Sequence, residues 1–258
     1  MSEAAPRPDR PVRVLAIAGS DSSGGAGIQA DIKTITMLGG YAMTAITAVT
    51  AQNTRGVSQV EALSPDLVAA QIDACFSDIG VEAVKIGMLG SADIAEVVAD
   101  RLEGCGCPIV FDPVMIATSG AALADGATVA AFEWLMEIAA LTTPNVAELT
   151  ALGGPDAMAR RGVAYLAKGG DADGPMVEDR LVRPGEADRV WKEARILTRH
   201  NHGTGCTLSS AIAALLPGAA GMAEAIEGAR RFVRSALLAA PGFGAGHGPL
   251  GHQAVREG

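Results

Sequence analysis

The sequence predicts an α/β fold: a mainly parallel central sheet with helices on both faces, a three-layer sandwich. Two observations carry this. Short apolar runs alternate with longer amphipathic stretches over most of the chain, the order of repeated strand–helix units. The residues that must build the core are small and aliphatic, since 49% of the 258 residues are hydrophobic and 3% aromatic. Such residues suit helices packed closely on a buried parallel sheet.

The elements follow in order. Residues 12–18 (VRVLAIA) form an apolar run ended by Gly19-Ser20, a buried strand. Gly24-Gly25-Ala26-Gly27 opens a helix from Ile28 to Leu38, and Gly39-Gly40 stops it. A second strand is expected near 41–50. Ser64-Pro65 is a helix start, with Ser as cap and Pro in the first turn, and the helix should run to about Asp78. A strand at 83–87, a helix at 91–103, a strand at 108–112, a helix at about 125–139 and a strand at 141–143 continue the alternation. Asn145 begins a short helix after Pro144, and Val163 to Ala167 is an apolar run ended by Lys168. Last, an apolar helix starts near Gly203.

No composition shift or Ser/Gly linker divides the chain, so one domain is expected over 12–258, with a flexible Pro-rich polar tail at 1–11. The formal net charge is -9 and no basic run stands out, which argues against nucleic acid as a partner. No secretory leader pattern or membrane-length apolar run is visible, so a reduced, cytoplasmic protein without membrane partners is expected. Of the four cysteines, Cys105 and Cys107 have neither the spacing nor the second ligand pair of a zinc site, and read as part of a loop before a strand.

Ligands of open parallel sheets bind at the carboxyl ends of the strands. The residues there form a set: Gly19-Ser20-Asp21, Gln52-Asn53, Met88, Asp112, Asn145 with Glu148, and Lys168. Each has a plain structural reading. Asp112-Pro113 is a good turn former, and Asn145 with Glu148 three residues on is a capping box. Each also has a chemical one. Asp112 and Glu148 are oxygen donors suited to Mg²⁺ beside phosphates, and Lys168 is a point charge for a phosphoryl group.

His202-Gly203-Thr204-Gly205-Cys206-Thr207 runs straight into the apolar stretch from Leu208. The first N–H groups of a helix lack intrahelical partners and carry the positive end of its dipole, so the turn is suited to an anion. Cys206 stands where a thiolate would be stabilised. A Gly-rich turn capping a core helix with a buried cysteine explains the same residues. His202 is suited to cap the turn or to orient a neighbour, while His247 and His252 in the Gly-rich tail are weak signals.

Together these segments resemble the hydroxymethylpyrimidine kinase / phosphomethylpyrimidine kinase family of thiamine biosynthesis, within the ribokinase-like superfamily. The resemblance rests on AGSDSSGGAGIQAD at 18–31, AITAVTAQNT at 45–54, VKIGML at 84–89, DPVM at 112–115, TPNVAE at 143–148, KGG at 168–170 and HGTGCTLSS at 202–210. It covers nearly the whole chain in the family's order. It implies a ribokinase-like fold and ATP-dependent phosphorylation of 4-amino-5-hydroxymethyl-2-methylpyrimidine and then of its monophosphate. Gly19 and Asp31 would line the pyrimidine pocket, Gln52 would hydrogen-bond the ring and Met88 pack on it. Lys168 would contact ATP phosphate, and Asn145 and Glu148, with Asp112 nearby, would organise Mg²⁺ and phosphate. Gly203, Thr204, Gly205 and Cys206 would form the anion hole, with Cys206 where most of the superfamily has an Asp base and Thr198 on the ATP side. Leu197-Thr198 replaces the family's usual Asp-Thr, and the segment between Asn145 and Lys168 is shorter than usual, with its helix shortened to about Asp156–Arg161. A homodimer is the expected assembly. The alternatives are a pyridoxine or pyridoxal kinase and a catalytically silent pyrimidine-binding protein on the same fold.

Overall fold

The computed structural model describes residues 10–116, 120 and 123–255. The expected tail at 1–11 therefore lies mostly outside the described residues. Its last two, Arg10 and Pro11, are in neither helix nor strand.

The first strand, β1 (Arg13–Asp21), is buried over most of its length, and its alternation sorts the whole molecule. Leu15 and Ile17 face one core; Val14, Ala16 and Ala18 face the other. Helix α1 (Gly27–Met37) follows, then β2 (Tyr41–Asn53), β3 (Gly56–Ala62) and α2 (Pro65–Ala74), which ends in a single π turn at 75–79. Next come β4 (Ala83–Ile86), α3 (Ala92–Leu102), β5 (Ile109–Phe111), α4 (Gly126–Ile138) and β6 (Leu141–Thr142). Short helices α5 (Val146–Ala151) and α6 (Gly154–Arg161) lead to β7 (Tyr165–Ala167). A hairpin, β8 (Met176–Val182) and β9 (Arg189–Ala194), precedes α7 (Thr204–Leu215) and α8 (Met222–Leu238).

The nine strands of the described residues form one sheet in the order β3-β2-β1-β4-β5-β6-β7-β8-β9. The strands from β2 to β7 in that order are mutually parallel; β3, β8 and β9 run antiparallel at the two edges. Side chains of α2, α3 and α4 fill one core and those of α1, α7 and α8 the other, which gives the three layers the sequence predicts. The predicted caps form: Ser64 accepts from the Leu67 N–H, and Asn145 and Glu148 make a reciprocal capping box.

Four elements fall outside those predicted. Strand β3 has no buried residue, because it covers only the edge of the sheet, and so lacks an apolar run. The β8–β9 hairpin is rich in charge, with Glu178 bound to both Arg180 and Lys192. Charged edge strands resist further pairing and read poorly as strands. Helix α8 does carry a helical stripe: Ala225, Ile226, Ala229, Phe232, Val233 and Ala236 are buried.

Candidate active site

Parallel strands β1, β2, β4, β5, β6 and β7 all end at one rim, and there a cavity of about 700 Å³ opens. The position of each wall follows from a strand end. Gly19 lies near the end of β1 and Gln52 near the end of β2. Met88 follows β4 and is held by the Thr47 hydroxyl, which donates to its carbonyl at 2.7 Å. A Cβ on Gly19 would lie 3.1 Å from the Met88 sulfur, so the bare backbone lets the thioether sit against the strand end.

Across the cavity, Asp112 follows β5, Asn145 and Glu148 follow β6, and Lys168 follows β7. The Lys168 Nζ lies 2.6 Å from Asp112 Oδ1 and 3.8 Å from Glu148 Oε2. Asp112 also accepts from the Thr143 hydroxyl at 3.1 Å. Burial alone would lower the Lys168 pKa, but the two carboxylates outweigh it and raise it. One cation is shared by two acids, and the cost falls on Glu148. Its burial, with Asp112 and Asp171 close by, pushes its pKa up to about 7 against the pull of Lys168 and the Asn145 N–H. The capping box and the charged cluster coexist. Glu148 Oε2 accepts from Asn145 N at 2.8 Å while Asn145 Oδ1 accepts from Glu148 N at 2.8 Å.

Helix α7 brings its N-terminus to the same place. Gly203 precedes it with φ +85°, and a Cβ there would fall 1.9 Å from the Gly25 carbonyl oxygen, so only glycine fits. In the first turn, a Cβ on Gly205 would lie 3.3 Å from Lys168 Nζ and 3.6 Å from Asp112 Oδ2. The bare backbone of the turn thus abuts the lysine and the carboxylate, and Thr204 and Cys206 line the cavity beside it. Thr198 lines it too, with its hydroxyl accepting from the His200 N–H at 3.0 Å. The tail histidines brace this region: His247 Nδ1 lies 2.9 Å from Asn201 Oδ1, and buried His252 lies 2.8 Å from the Thr207 hydroxyl.

Two expectations are corrected. Asp31 is not on the cavity wall. Its carboxylate is sealed inside α1, with both oxygens 2.9 Å from Lys85 Nζ and Oδ1 2.7 Å from the Ser210 hydroxyl. Cys206 does not rest as a thiolate. Burial, with the Asp31 and Asp112 charges, pushes its pKa up to about 11 despite the nearby Lys85 ammonium. The helix N-terminus is present as predicted, but it is outweighed by desolvation and two acids.

One pairing is not assigned from sequence, although Asp21 stands in the strand-end set and His202 reads as a cap or an orienting residue. Asp21, at the end of β1, accepts from the N–H groups of Ser23, Gly25 and Ala26, and its Oδ2 lies 2.9 Å from His202 Nε2. Burial would raise its pKa, but these bonds bring it down to about 2. His202 in turn touches the Gln52 carboxamide at 3.2 Å. The signal in sequence is the run Asp21-Ser22-Ser23-Gly24-Gly25, an Asx-turn pattern that aims several N–H groups at one carboxylate.

Comparison with known proteins decides the family. The phosphomethylpyrimidine kinase family model matches residues 21–251. The chain belongs to this family. It is a kinase, a phosphotransferase, with the ribokinase-like fold expected. It is similar to the hydroxymethylpyrimidine/phosphomethylpyrimidine kinase of Rhizobium meliloti, 46% identical over 92% of this chain and 96% of the relative. The Escherichia coli protein of the same name is 42% identical over 93% and 97%. Among solved structures, phosphomethylpyrimidine kinase from Clostridium difficile is 38% identical with a TM-score of 0.73, covering 86% of this chain and 98% of that one. A Bacillus subtilis pyridoxal kinase in complex with ADP is 32% identical with a TM-score of 0.84, covering 95% and 98%.

Proposed function

We propose that this kinase phosphorylates the hydroxymethyl group of 4-amino-5-hydroxymethyl-2-methylpyrimidine, and then the resulting monophosphate, with ATP as donor, in thiamine biosynthesis. The observation that carries this reading is that one cavity joins a wall with a carboxamide and a thioether to a phosphate-suited centre. That wall is formed by Gly19, Gln52 and Met88, and the centre by Lys168 and the first turn of α7. Relatives named for both pyrimidine activities, those of Rhizobium meliloti and Escherichia coli among them, support the substrate class, and the ADP complex of the pyridoxal kinase supports a nucleotide donor.

Phosphoryl transfer asks a protein for positioning and charge neutralisation. Lys168 holds a proton at Nζ and so carries a fixed positive charge toward the donor phosphates. The N–H groups of α7 receive phosphate oxygens without a side chain intervening at Gly205. The carboxamide of Gln52 supplies the donor and acceptor that an amine and a ring nitrogen need. Cys206 is the protonatable group in the anion turn. It rests as a thiol, so only its minor thiolate form can take the alcohol's proton. With the thiol in place the proton passes, late, to an oxygen of the transferred phosphoryl group as the new P–O bond forms, and such late loss suits a loose transition state.

Mg²⁺ fits in one form only. Among the described residues no group of three or more His, Cys, Asp or Glu is placed to hold a metal ion. Asp112 and Glu148 supply two carboxylates at the cavity, which matches the way Mg²⁺ uses one or two protein carboxylates with phosphate and water as the rest. When bound there, Mg²⁺ would neutralise phosphate charge and act as a Lewis acid.

We also propose one domain over 12–258, a homodimer, and a cytoplasmic location without nucleic-acid or membrane partners. Among the described residues no helix is long and apolar enough to cross a membrane. Mass spectrometry of products tests the function. Incubated with ATP and the free pyrimidine, the protein should yield the monophosphate first and the diphosphate later. Phosphorylation of pyridoxal alone would overturn the substrate assignment.

A further inference from the structure

Gln52 is a poor discriminator by itself. The two ends of a carboxamide have the same shape, and a freely turning one accepts a ligand edge in either donor–acceptor order. The surrounding bonds remove this freedom. Asp21 takes three backbone N–H bonds and is an acceptor only. Facing its Oδ2 at 2.9 Å, His202 Nε2 must carry a proton, because a bare lone pair there would meet a carboxylate. That N–H also lies 3.2 Å from the carboxamide position occupied by Gln52 Nε2. An NH₂ there sets donor against donor, so the carboxamide is turned over about its last bond, with its carbonyl toward His202. On the other side stands the Thr50 hydroxyl, 3.3 Å from the position occupied by Gln52 Oε1, which the turned-over carboxamide fills with its NH₂. Its own proton goes to the Ser20 carbonyl at 2.9 Å, so it has a lone pair to offer the Gln52 NH₂. With the carbonyl toward His202 and the NH₂ toward Thr50, every group has a partner. One N–H and one carbonyl lone pair remain for a ligand, in a fixed order.

We propose that His202, oriented by Asp21, is a positioning residue that locks the Gln52 carboxamide in this orientation and thereby selects a ring bearing an amine beside a ring nitrogen. His202 is buried, and a Cβ on Gly25 would lie 2.4 Å from its Cδ2 and 3.2 Å from its Nε2, so the bare glycine backbone lets the ring's polar edge seat against the Asp21 turn. The inference rests on the proposed aminopyrimidine activity and adds the device that enforces it.

Two variants and one spectrum test it. His202→Leu removes the N–H that fixes the carbonyl. His202→Gln keeps an N–H donor on a chain of similar reach. Steady-state ADP release with hydroxymethylpyrimidine and with pyridoxal gives the discrimination ratio. His202→Leu should raise KM for the pyrimidine roughly tenfold or more, the loss expected when one polar contact is misplaced, with a smaller change in kcat. Its preference for the pyrimidine over pyridoxal should shrink by a similar factor, KM for ATP should be unchanged, and His202→Gln should recover most of the preference. In the wild type, ¹⁵N NMR of the ring should show Nε2 protonated. Equal losses on both ring substrates, equal behaviour of the Leu and Gln variants, or an unprotonated Nε2 would overturn the role given to His202 while leaving the proposed activity standing. Failure of the wild type to phosphorylate the pyrimidine would overturn that activity and this inference together. If His202→Leu does not fold, the Gln variant and the spectrum decide.

Discussion

Two lysine–aspartate pairs lie under helix α7, and their difference separates scaffold from site. Lys85 and Asp31 are both 0% exposed, with Nζ 2.9 Å from each carboxylate oxygen and Ser210 closing the remaining face. One charge meets one charge, and nothing opens to the cavity. Lys168 and Asp112 are as close, at 2.6 Å, but the lysine faces the cavity and must also serve Glu148. That cluster holds two acids for one base. The imbalance is what a ligand-bearing centre needs, since a nucleotide with its cation can redistribute this charge only when some of it is left uncompensated. A closed pair stabilises; an open, unbalanced one is kept ready to bind.

The largest expected effect breaks the closed pair. Lys85→Met leaves the Asp31 carboxylate buried without its cation and should cost roughly 3–5 kcal/mol of unfolding free energy in urea titration. Replacing both partners, Lys85→Met with Asp31→Leu, should recover most of that, since an apolar pair of similar volume is often as stable as a buried ion pair. If the double variant is as unstable as the single, the pair is not isolated scaffold.

The open pair should fail differently. Lys168→Met removes the charge aimed at the phosphates and should lower kcat by roughly 10²–10³ in the protein that remains folded, beyond whatever stability is lost by leaving Asp112 and Glu148 without their cation. A large stability loss with normal turnover would place Lys168 with Lys85 as scaffold.

Cys206 lies between the two pairs and feels both. Cys206→Ala should lower kcat by about 10², the lower end for general-base help. Because its pKa is pushed up to about 11, wild-type turnover should climb with pH above neutrality as the thiolate fraction grows, and Cys206→Asp should flatten that climb. A pH-independent rate, equal in the wild type and in Cys206→Ala, would reduce the residue to packing.

The last effect is on stability and tests the surplus acid. Glu148 holds its proton more tightly folded, at about 7, than its ordinary value of 4.5. A raised folded pKa gives stability that is full below the unfolded value and is lost as pH rises through the folded one. Between about pH 4.5 and 7 the wild type should therefore lose stability relative to Glu148→Gln, by up to roughly 3 kcal/mol. The amide should cap α5 equally well, because Gln also completes a capping box. Identical pH–stability curves would show that Glu148 carries no excess charge.

Much of this was legible in the chain. The alternation of runs and glycine turns marked six of the parallel-sheet strands and the rim where they end. Gly203, Gly205, Lys168 and Glu148 stand where strand ends and a helix start put them. What sequence could not settle was balance. Asp31 read as a pocket carboxylate because it shares a motif with Gly19; that Lys85, 54 residues away, takes it inside is a tertiary fact. Cys206 read as a thiolate because a helix N-terminus is local, whereas the acids that oppose it arrive from α1 and β5. The β8–β9 hairpin was hidden because its alternation is charged rather than apolar.

The most direct measurement of the central claim is ADP release by the wild-type protein with hydroxymethylpyrimidine, its monophosphate and pyridoxal side by side at saturating ATP and Mg²⁺. The account predicts the highest kcat/KM on the two pyrimidines, both lost in Lys168→Met, and a lower value on pyridoxal. Preference for pyridoxal, or turnover of the pyrimidines that survives Lys168→Met, would contradict it.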